Sequence, residues 1–357
     1  MSSSQQIYHT VFRRLGEVNS VPLRVTQKRN LALLVTALYL AASCCLTRLA
    51  DHLLTTGDKD SRVQRVRRFL MNPRISTREW YGPVVRMILS HLGTARLVLV
   101  LDRTTLQNRL NILTLSVAYH GRTLPLAWLV LKKQGQFKRC HIEAMLRFVA
   151  RWAPAHLQIW VIGDREFQDV ALQAMIEHEL GWHYVQRINH NLWLFPRQGR
   201  PFQPSQLNLR PGECRSVAEV YVTRQHAGPA HFIAYWAKGE DEPWYLISDQ
   251  PVGRHTWHIY DRRSWVEPMY RDFKSYGWNI EASRMTNPQR FSRLLLGIAL
   301  AYVWLIQLAS WVIKRGWRHL VDRTARRTLS YFRIGWNWLL RQSDRGQVIF
   351  LPDKLYV

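Results

Sequence analysis

Four residues within the stretch 256–278 (TWHIYDRRSWVEPMYRDFKSYGW) combine reactive types with a telling spacing. Tyr260, Arg263, Glu267 and Lys274 stand at Y-x2-R-x3-E-x6-K, and at about 100° per residue all four fall within roughly 60° of one helical face. A carboxylate is lined up there with two cations and a phenol. Such a set suits a divalent metal held beside a phosphodiester, the carboxylate ligating the metal while Arg and Lys grip phosphate oxygens. The same spacing suits an amphipathic helix whose charged face is solvated. Pro268 directly follows Glu267, so a bend is expected just past the glutamate, and the place of Lys274 depends on it.

Two further acids bear on the choice. Asp102 ends the apolar run RLVLVLD and Asp164 ends IWVIGD. A carboxylate on a buried strand is costly unless it is paired or metal-bound. One such acid is usually a cap or a salt-bridged residue. Two on adjacent strands, joined by Glu267, repel one another and call for cations. Hard oxygen ligands favour Mg²⁺, with Mn²⁺ as a substitute. Glu166, Asp169, Asp261 and Asp272 are alternative ligands of lower rank. His141, His183 and His255 read as structural or surface residues.

The elements that must position these groups can be read in order. Residues 1–25 show no sustained periodicity and read as a loosely ordered arm. Thr26–His52 reads as one long buried helix capped by Thr26. Ser61–Leu70 reads as a second helix, with Arg62, Arg65, Arg67 and Arg68 around a stripe of Val63, Val66 and Leu70. A third opens at Ser76 or Thr77. Three helices with an arginine-rich middle member suit a DNA-binding module, or equally a helical cap with solvated arginines. From Arg96 the texture becomes that of strands, and the order β-β-β-α-β-α-β is that of a ribonuclease-H-like core, a mixed sheet with helices on its faces. Residues 189–253 read as a β-rich insertion containing Trp193, Trp236 and Trp244. The tail has helical spacing, with Arg323, Arg326, Arg327 and Arg333 outward and Leu329, Phe332, Trp336 and Leu340 inward. The expected units are therefore 1–93 (helical, DNA-binding), 94–188 (first part of the core), 189–253 (insertion), 254–313 (second part, with the Glu267 helix) and 314–357 (basic, helical).

Composition narrows the partner. In 357 residues, 50 Lys+Arg against 25 Asp+Glu leave a formal charge of +25, which implies an acidic polymer, either nucleic acid or an anionic membrane surface. The charge is spread along a chain that also holds 16 Trp and 14 Tyr, as on a folded phosphate-binding surface rather than a disordered tail. The four cysteines form no C-x-x-C pattern, so neither a disulfide framework nor a zinc site is expected. The N-terminal stretch lacks the pattern of a secretory signal, and a cytoplasmic setting is expected. Leu294–Ile313 is uncharged and long enough to span a bilayer, but Gln307 and Ser310 interrupt it and a buried core helix is the better reading.

Asp102 in LDRTTL, Asp164 in the GDREF segment and the Tyr260, Arg263, Glu267, Lys274 signature resemble the DDE transposases of bacterial insertion sequences, specifically the insertion-sequence-four group. WYLISD before the signature and KSYGWNIEASRMTN after it match as well, and the resemblance runs from Arg96 to about Arg293. It implies a transposase that binds terminal inverted repeats in double-stranded DNA, cleaves the ends and joins the freed 3′-hydroxyls to target DNA. By the same resemblance Asp102, Asp164 and Glu267 hold two Mg²⁺ ions, and Tyr260, Arg263 and Lys274 contact DNA phosphates. Excision through a hairpin would place a flipped base on an aromatic side chain, for which Trp193, Trp236 and Trp244 are candidates alongside ordinary packing roles. Concerted cutting of two ends implies a homodimer, with no membrane involved. The rival readings are a catalytically silent DNA-binding regulator and a metal-dependent nuclease without strand transfer.

Overall fold

Strand-forming runs between Arg96 and Ser248 join into one mixed sheet. In the computed structural model, which describes residues 2–18, 24–223 and 227–356, its strands are β1 (Arg96–Leu106), β2 (Leu110–Tyr119), β3 (Arg122–Lys132), β4 (Gln158–Gly163), β5 (His183–Arg187), β6 (Leu194–Pro196), β7 (Cys214–Val222), β8 (Ala227–Tyr235) and β9 (Trp244–Ser248). The nine strands lie in the order β3-β2-β1-β4-β5-β9-β8-β7-β6. β1, β4 and β5 run parallel, and the remaining pairings are antiparallel. The order expected across Arg96–Arg187 is the order found, and it is consistent with a ribonuclease-H-like core. The short strands of 189–253 continue this same sheet, because β9 pairs antiparallel with β5. Within the expected insertion, positions 224–226 lie outside the described residues.

Helices occupy both ends of the chain: α1 (Ser3–Val18), α2 (Val25–Ala41), α3 (Leu46–Asp51), α4 (Lys59–Met71) and α5 (Thr77–Ser90) before the sheet, α6 (Arg139–Ala150) and α7 (Val170–Ala174) within it, then α8 (Arg254–Asp261), α9 (Val266–Arg271), α10 (Pro288–Lys314) and α11 (Tyr331–Asp344). α10 is the spine of the core. Asn287 caps it by accepting from the Arg290 amide at 3.0 Å, Pro288 sits in its first turn, and 89% of its most apolar window is buried. It is long and apolar enough to cross a bilayer by length and composition, but its apolar girth is covered by protein. Of its polar pair, Ser310 donates to the Gln307 carbonyl at 2.7 Å and accepts from the Tyr356 amide at 3.1 Å, while the Gln307 side chain donates to Met87 Sδ at 2.9 Å and its Oε1 has no partner among the described residues.

Three expectations need correction. The N-terminal arm is the helix α1, whose Ile7, Val11 and Leu15 are buried at i, i+4, i+8; positions 1 and 19–23 lie outside the described residues. The contacts that order it come from the far end of the chain, where Thr10 donates to the Ile349 carbonyl and Arg14 to that of Pro352. The helix expected over Thr26–His52 is broken. Its N-cap position is Arg24 rather than Thr26, and Ala42 takes a left-handed conformation (φ 45°) that separates α2 from α3. Trp278 accounts for the break, since its carbonyl accepts from the Cys44 amide at 2.7 Å and its indole donates to the Leu38 carbonyl at 3.0 Å. The tail is only partly helical. Arg323, Arg326 and Arg327 precede α11 in a loop organised by Asp322, whose carboxylate accepts from the Arg323, Thr328 and Leu329 amides. A local carboxylate that satisfies several amides outcompetes the helix there. Leu340, expected inward, is 37% exposed, whereas Phe332 and Trp336 are buried.

Candidate active site

Asp102 and Asp164 meet because β1 and β4 are neighbouring parallel strands in register Leu101↔Gly163, so that residues 102 and 164 occupy the next level of the sheet. Asp164 leaves β4 as the cap of a short 3₁₀ turn and accepts from the Arg165 amide at 2.8 Å. Asp102 is not at a strand end as the sequence suggested. β1 continues to Leu106 because the hairpin with β2 pairs Asp102 with Thr114 and the four residues beyond it as well. Asp102 is therefore only 8% exposed. Burial pushes its carboxyl from 3.8 up to about 7, with Glu166 and Asp164 adding to the rise and Arg263 opposing it.

One guanidinium ties the two aspartates together. Arg263 Nη2 donates to Asp164 Oδ2 at 3.0 Å and stands 3.6 Å from Asp102 Oδ1. The arginine reaches them because its own segment is tightened: between α8 and α9 residues Arg262–Trp265 form a 3₁₀ turn. Here the bend expected after Glu267 is found before it. Proline loses its own amide hydrogen bond and clashes with the carbonyl four residues earlier, so Pro268 acts on Ser264, while its place in the first turn of α9 is harmless. Past α9 the chain widens into a π turn at Asp272–Tyr276 that carries Lys274. The single helical face of the sequence reading is therefore four short segments, α, 3₁₀, α and π in turn.

The four signature residues have different surroundings. Tyr260 is buried, packs edge-on to Trp244 with ring centroids 5.3 Å apart, and lies beside Arg263, Arg187 and Asp164 in a setting whose burial raises its phenol. Glu267 is exposed on the first turn of α9 and is felt electrostatically by Arg263. Lys274 donates to Thr104 Oγ1 at 2.9 Å and to the Thr105 carbonyl at 3.0 Å, two and three residues beyond Asp102 on β1. Asp102, Asp164, Tyr260 and Arg263 thus form one cluster, Glu267 joins it through Arg263, and Lys274 flanks it.

Of the lower-ranked acids, Asp261 is exposed, Glu166 stays close enough to act on Asp102 and Asp164, and each of the other two has a partner of its own. Asp272 is buried in an ion pair with Arg122, Glu166 pairs with Arg103, and Asp169 caps α7. The histidines are held locally, His183 by Asp249 at 2.7 Å, His141 by the Lys138 amide and His255 near the Pro251 carbonyl. Of the tryptophans, Trp244 serves Tyr260, Trp236 donates to the Glu240 carbonyl, and Trp193 is 38% exposed. The four arginines of α4 separate too: Arg62 leans on the Asp58 carbonyl and Arg65 on Asn30, while Arg67 and Arg68 are exposed.

Three supporting residues were missed in the sequence. Gln186 donates to the Gly163 and Asp164 carbonyls at 3.1 and 2.8 Å and fixes the exit of β4. Arg187 stands 3.9 Å from Asp164 and 2.6 Å from Glu242. Tyr270, buried, hydrogen-bonds Thr114 at 2.6 Å behind Asp102. A signal for the first two was present, since the run WHYVQRI carries Gln-Arg near its end, on the strand beside IWVIGD. Tyr270 lies one turn after Glu267 and gave none.

Among the described residues no three acidic, histidine or cysteine side chains gather closely enough to hold a metal ion. The donor set nevertheless suits a hard divalent cation. It consists of carboxylate oxygens, and the most buried of them, on Asp102, is short of positive charge even with Arg263 beside it. No curated protein matches the chain. The family profile described as the transposase DDE domain matches residues 94–304, which takes in the sheet, both aspartates, the signature and most of α10. Matched over more than half its length, the chain belongs to the transposase DDE domain family.

Proposed function

We propose that the chain is a transposase of the insertion-sequence-four group, which binds the terminal inverted repeats of its element as a homodimer, cleaves the ends and transfers the 3′-hydroxyls to target DNA in the cytoplasm. The observation that carries this reading is the pairing of buried Asp102 with Asp164 under one guanidinium, one helical turn from Glu267. Asp102, Asp164 and Glu267 are the side chains that would hold two Mg²⁺ ions, or Mn²⁺ in their place. Bound there, such ions activate water or a 3′-hydroxyl and stabilise the leaving oxygen.

The chain's own residues do the rest. Arg263 keeps the two aspartates close, and its forked donors suit a phosphate oxygen equally well. Tyr260, wedged on Trp244, is buried beside that arginine and stands behind it rather than as an exposed phosphate contact. Lys274, held by the end of β1, offers a point charge to the strand on the other side of Asp102. Arg62, Arg65, Arg67 and Arg68 extend the positive surface on α4, with the exposed pair Arg67 and Arg68 best placed to meet a duplex.

A nicking assay tests the assignment. A labelled duplex carrying the inverted repeat that bounds the reading frame is incubated with Mg²⁺ and wild type, Glu267→Gln or Asp102→Asn. Both variants are expected to bind the duplex and leave it intact. Wild-type nicking by either one sinks the site assignment, and specific binding by the wild type without cleavage in any Mg²⁺ or Mn²⁺ concentration establishes the silent-regulator reading instead.

A further inference from the structure

One residue past Lys274 the surface opens into a cavity of about 730 Å³ between the N-terminal helices and the segment that follows the signature. Its walls come from two sides. α3 and α4 contribute Thr47, Arg48 and Arg67, while Ser275 of the π turn and Asn279 and Arg284 beyond it supply the other side. The polar groups facing it are guanidiniums, hydroxyls and an amide, with no carboxylate among the lining residues. The other arginines near the site are neutralised: Arg263 by Asp164, Arg187 and Arg165 by Glu242, and Arg103 by Glu166. Arg48, Arg67 and Arg284 are exposed, and among the described residues none of them forms an ion pair with a carboxylate.

Three like charges collected around one concavity repel each other, and a protein that keeps them there without an acid leaves room for an anion supplied from outside. Arginines with interspersed hydroxyl and amide donors are the recurrent recognition set for phosphodiester oxygens. The location selects the anion. Asp102, Thr104 with Lys274, and then Ser275 form a continuous line from the buried carboxylate to the mouth of the cavity. We infer that this cleft seats the sugar–phosphate backbone of the DNA flanking the cleavage point, so that α3 and α4 grip the same duplex whose strand reaches Asp102. The inference rests on the transposase reading and extends it to a second contact surface, in which Arg67 alone of the four α4 arginines takes part.

Two measurements on the full chain test it. In the first, a fluorescein-labelled DNA duplex is titrated by anisotropy over a range of salt. Each lost phosphate contact lowers the slope of log K against log[salt] by about 0.9, so a combined Arg48→Gln, Arg67→Gln, Arg284→Gln variant is expected to have a slope shallower by roughly 2 to 3. A control with Arg200, Arg210 and Arg215 changed to Gln, all exposed in the stretch that runs from the loop after β6 into β7, removes the same charge and is expected to keep the wild-type slope. In the second, Cys45 reports on the wild-type chain. It lines the cleft, and its thiol, hydrogen-bonded to Thr47, is held below its ordinary value, whereas Cys140 and Cys214 are exposed elsewhere. Duplex DNA is expected to slow alkylation of Cys45 by N-ethylmaleimide severalfold and to leave Cys140 and Cys214 unchanged. Equal slopes for wild type and the cleft variant, equal losses in both triple variants, or unprotected Cys45 each overturn the cleft while leaving the catalytic assignment standing. Absence of any duplex binding by the wild type overturns both.

Discussion

Replacing Asp102 with Asn should abolish nicking and at the same time stabilise the folded chain, and the second effect can be sized from its surroundings. Asp102 is 8% exposed, and its carboxyl titrates near 7 when folded against 3.8 in the unfolded chain. A raised carboxyl means that the folded state holds its proton through a window in which the unfolded state has lost it. Stability therefore falls as pH rises from about 4 to 7, by about 1.4 kcal/mol per unit and about 4 kcal/mol in all. Below that window both states are protonated, and Asp and Asn behave alike. The difference between Asp102→Asn and wild type should thus be near zero at about pH 4 and grow to about 4 kcal/mol in favour of the variant above about pH 7. Urea unfolding of both proteins across this range, in EDTA, measures it, and taking the difference cancels the other carboxylates. Added Mg²⁺ should narrow the gap at high pH by stabilising the wild type alone. Parallel pH profiles, or a variant that is less stable at high pH, would refute the claim that burial leaves Asp102 short of positive charge.

Two further outcomes concern the frame around the site. Tyr270→Phe removes the phenol that bonds Thr114 behind Asp102 and should cost about 1–3 kcal/mol by leaving a buried hydroxyl with a lost partner, read as a lower urea midpoint; an unchanged midpoint counts against that bond. Gly335→Ala would drive a Cβ into the Leu305 carbonyl oxygen, where α11 crosses α10, and should cost about 3 kcal/mol by prising the two helices apart; a thermal midpoint equal to wild type would show that they do not approach so closely.

Much of the site was legible because its logic is local. Alternation along apolar strands puts Asp102 and Asp164 where neighbouring strands can present them together, and the parallel β1–β4 register does bring them together. The Pro268 bend was also legible in kind, although its position was misjudged. The constraint of proline reaches back four residues, so the irregular turn falls at Arg262–Trp265 and not past Glu267. What could not be read was which charge neutralises which. Arg263 on the two aspartates, Arg122 on Asp272 and Lys274 on the end of β1 join residues 99, 150 and 170 positions apart, and no spacing rule links such partners.

The residues by themselves thus determined the strand order through Arg187 and a net charge of +25 that calls for a polyanion, and they offered two aspartates and a spaced set of four residues as the candidate reactive groups, because periodicity, residue chemistry and composition are properties of the chain before it folds. Only the tertiary structure decided that Thr26–His52 breaks in two, that the N-terminal stretch is a helix, and that the tail arginines sit in a loop. In the first two cases partners from the far end of the chain outweigh local preference: Trp278 meets Leu38 across 240 positions and Thr10 meets the Ile349 carbonyl across 339. At Asp322 the reason is a carboxylate that offers nearby amides a better partner than the next helical turn.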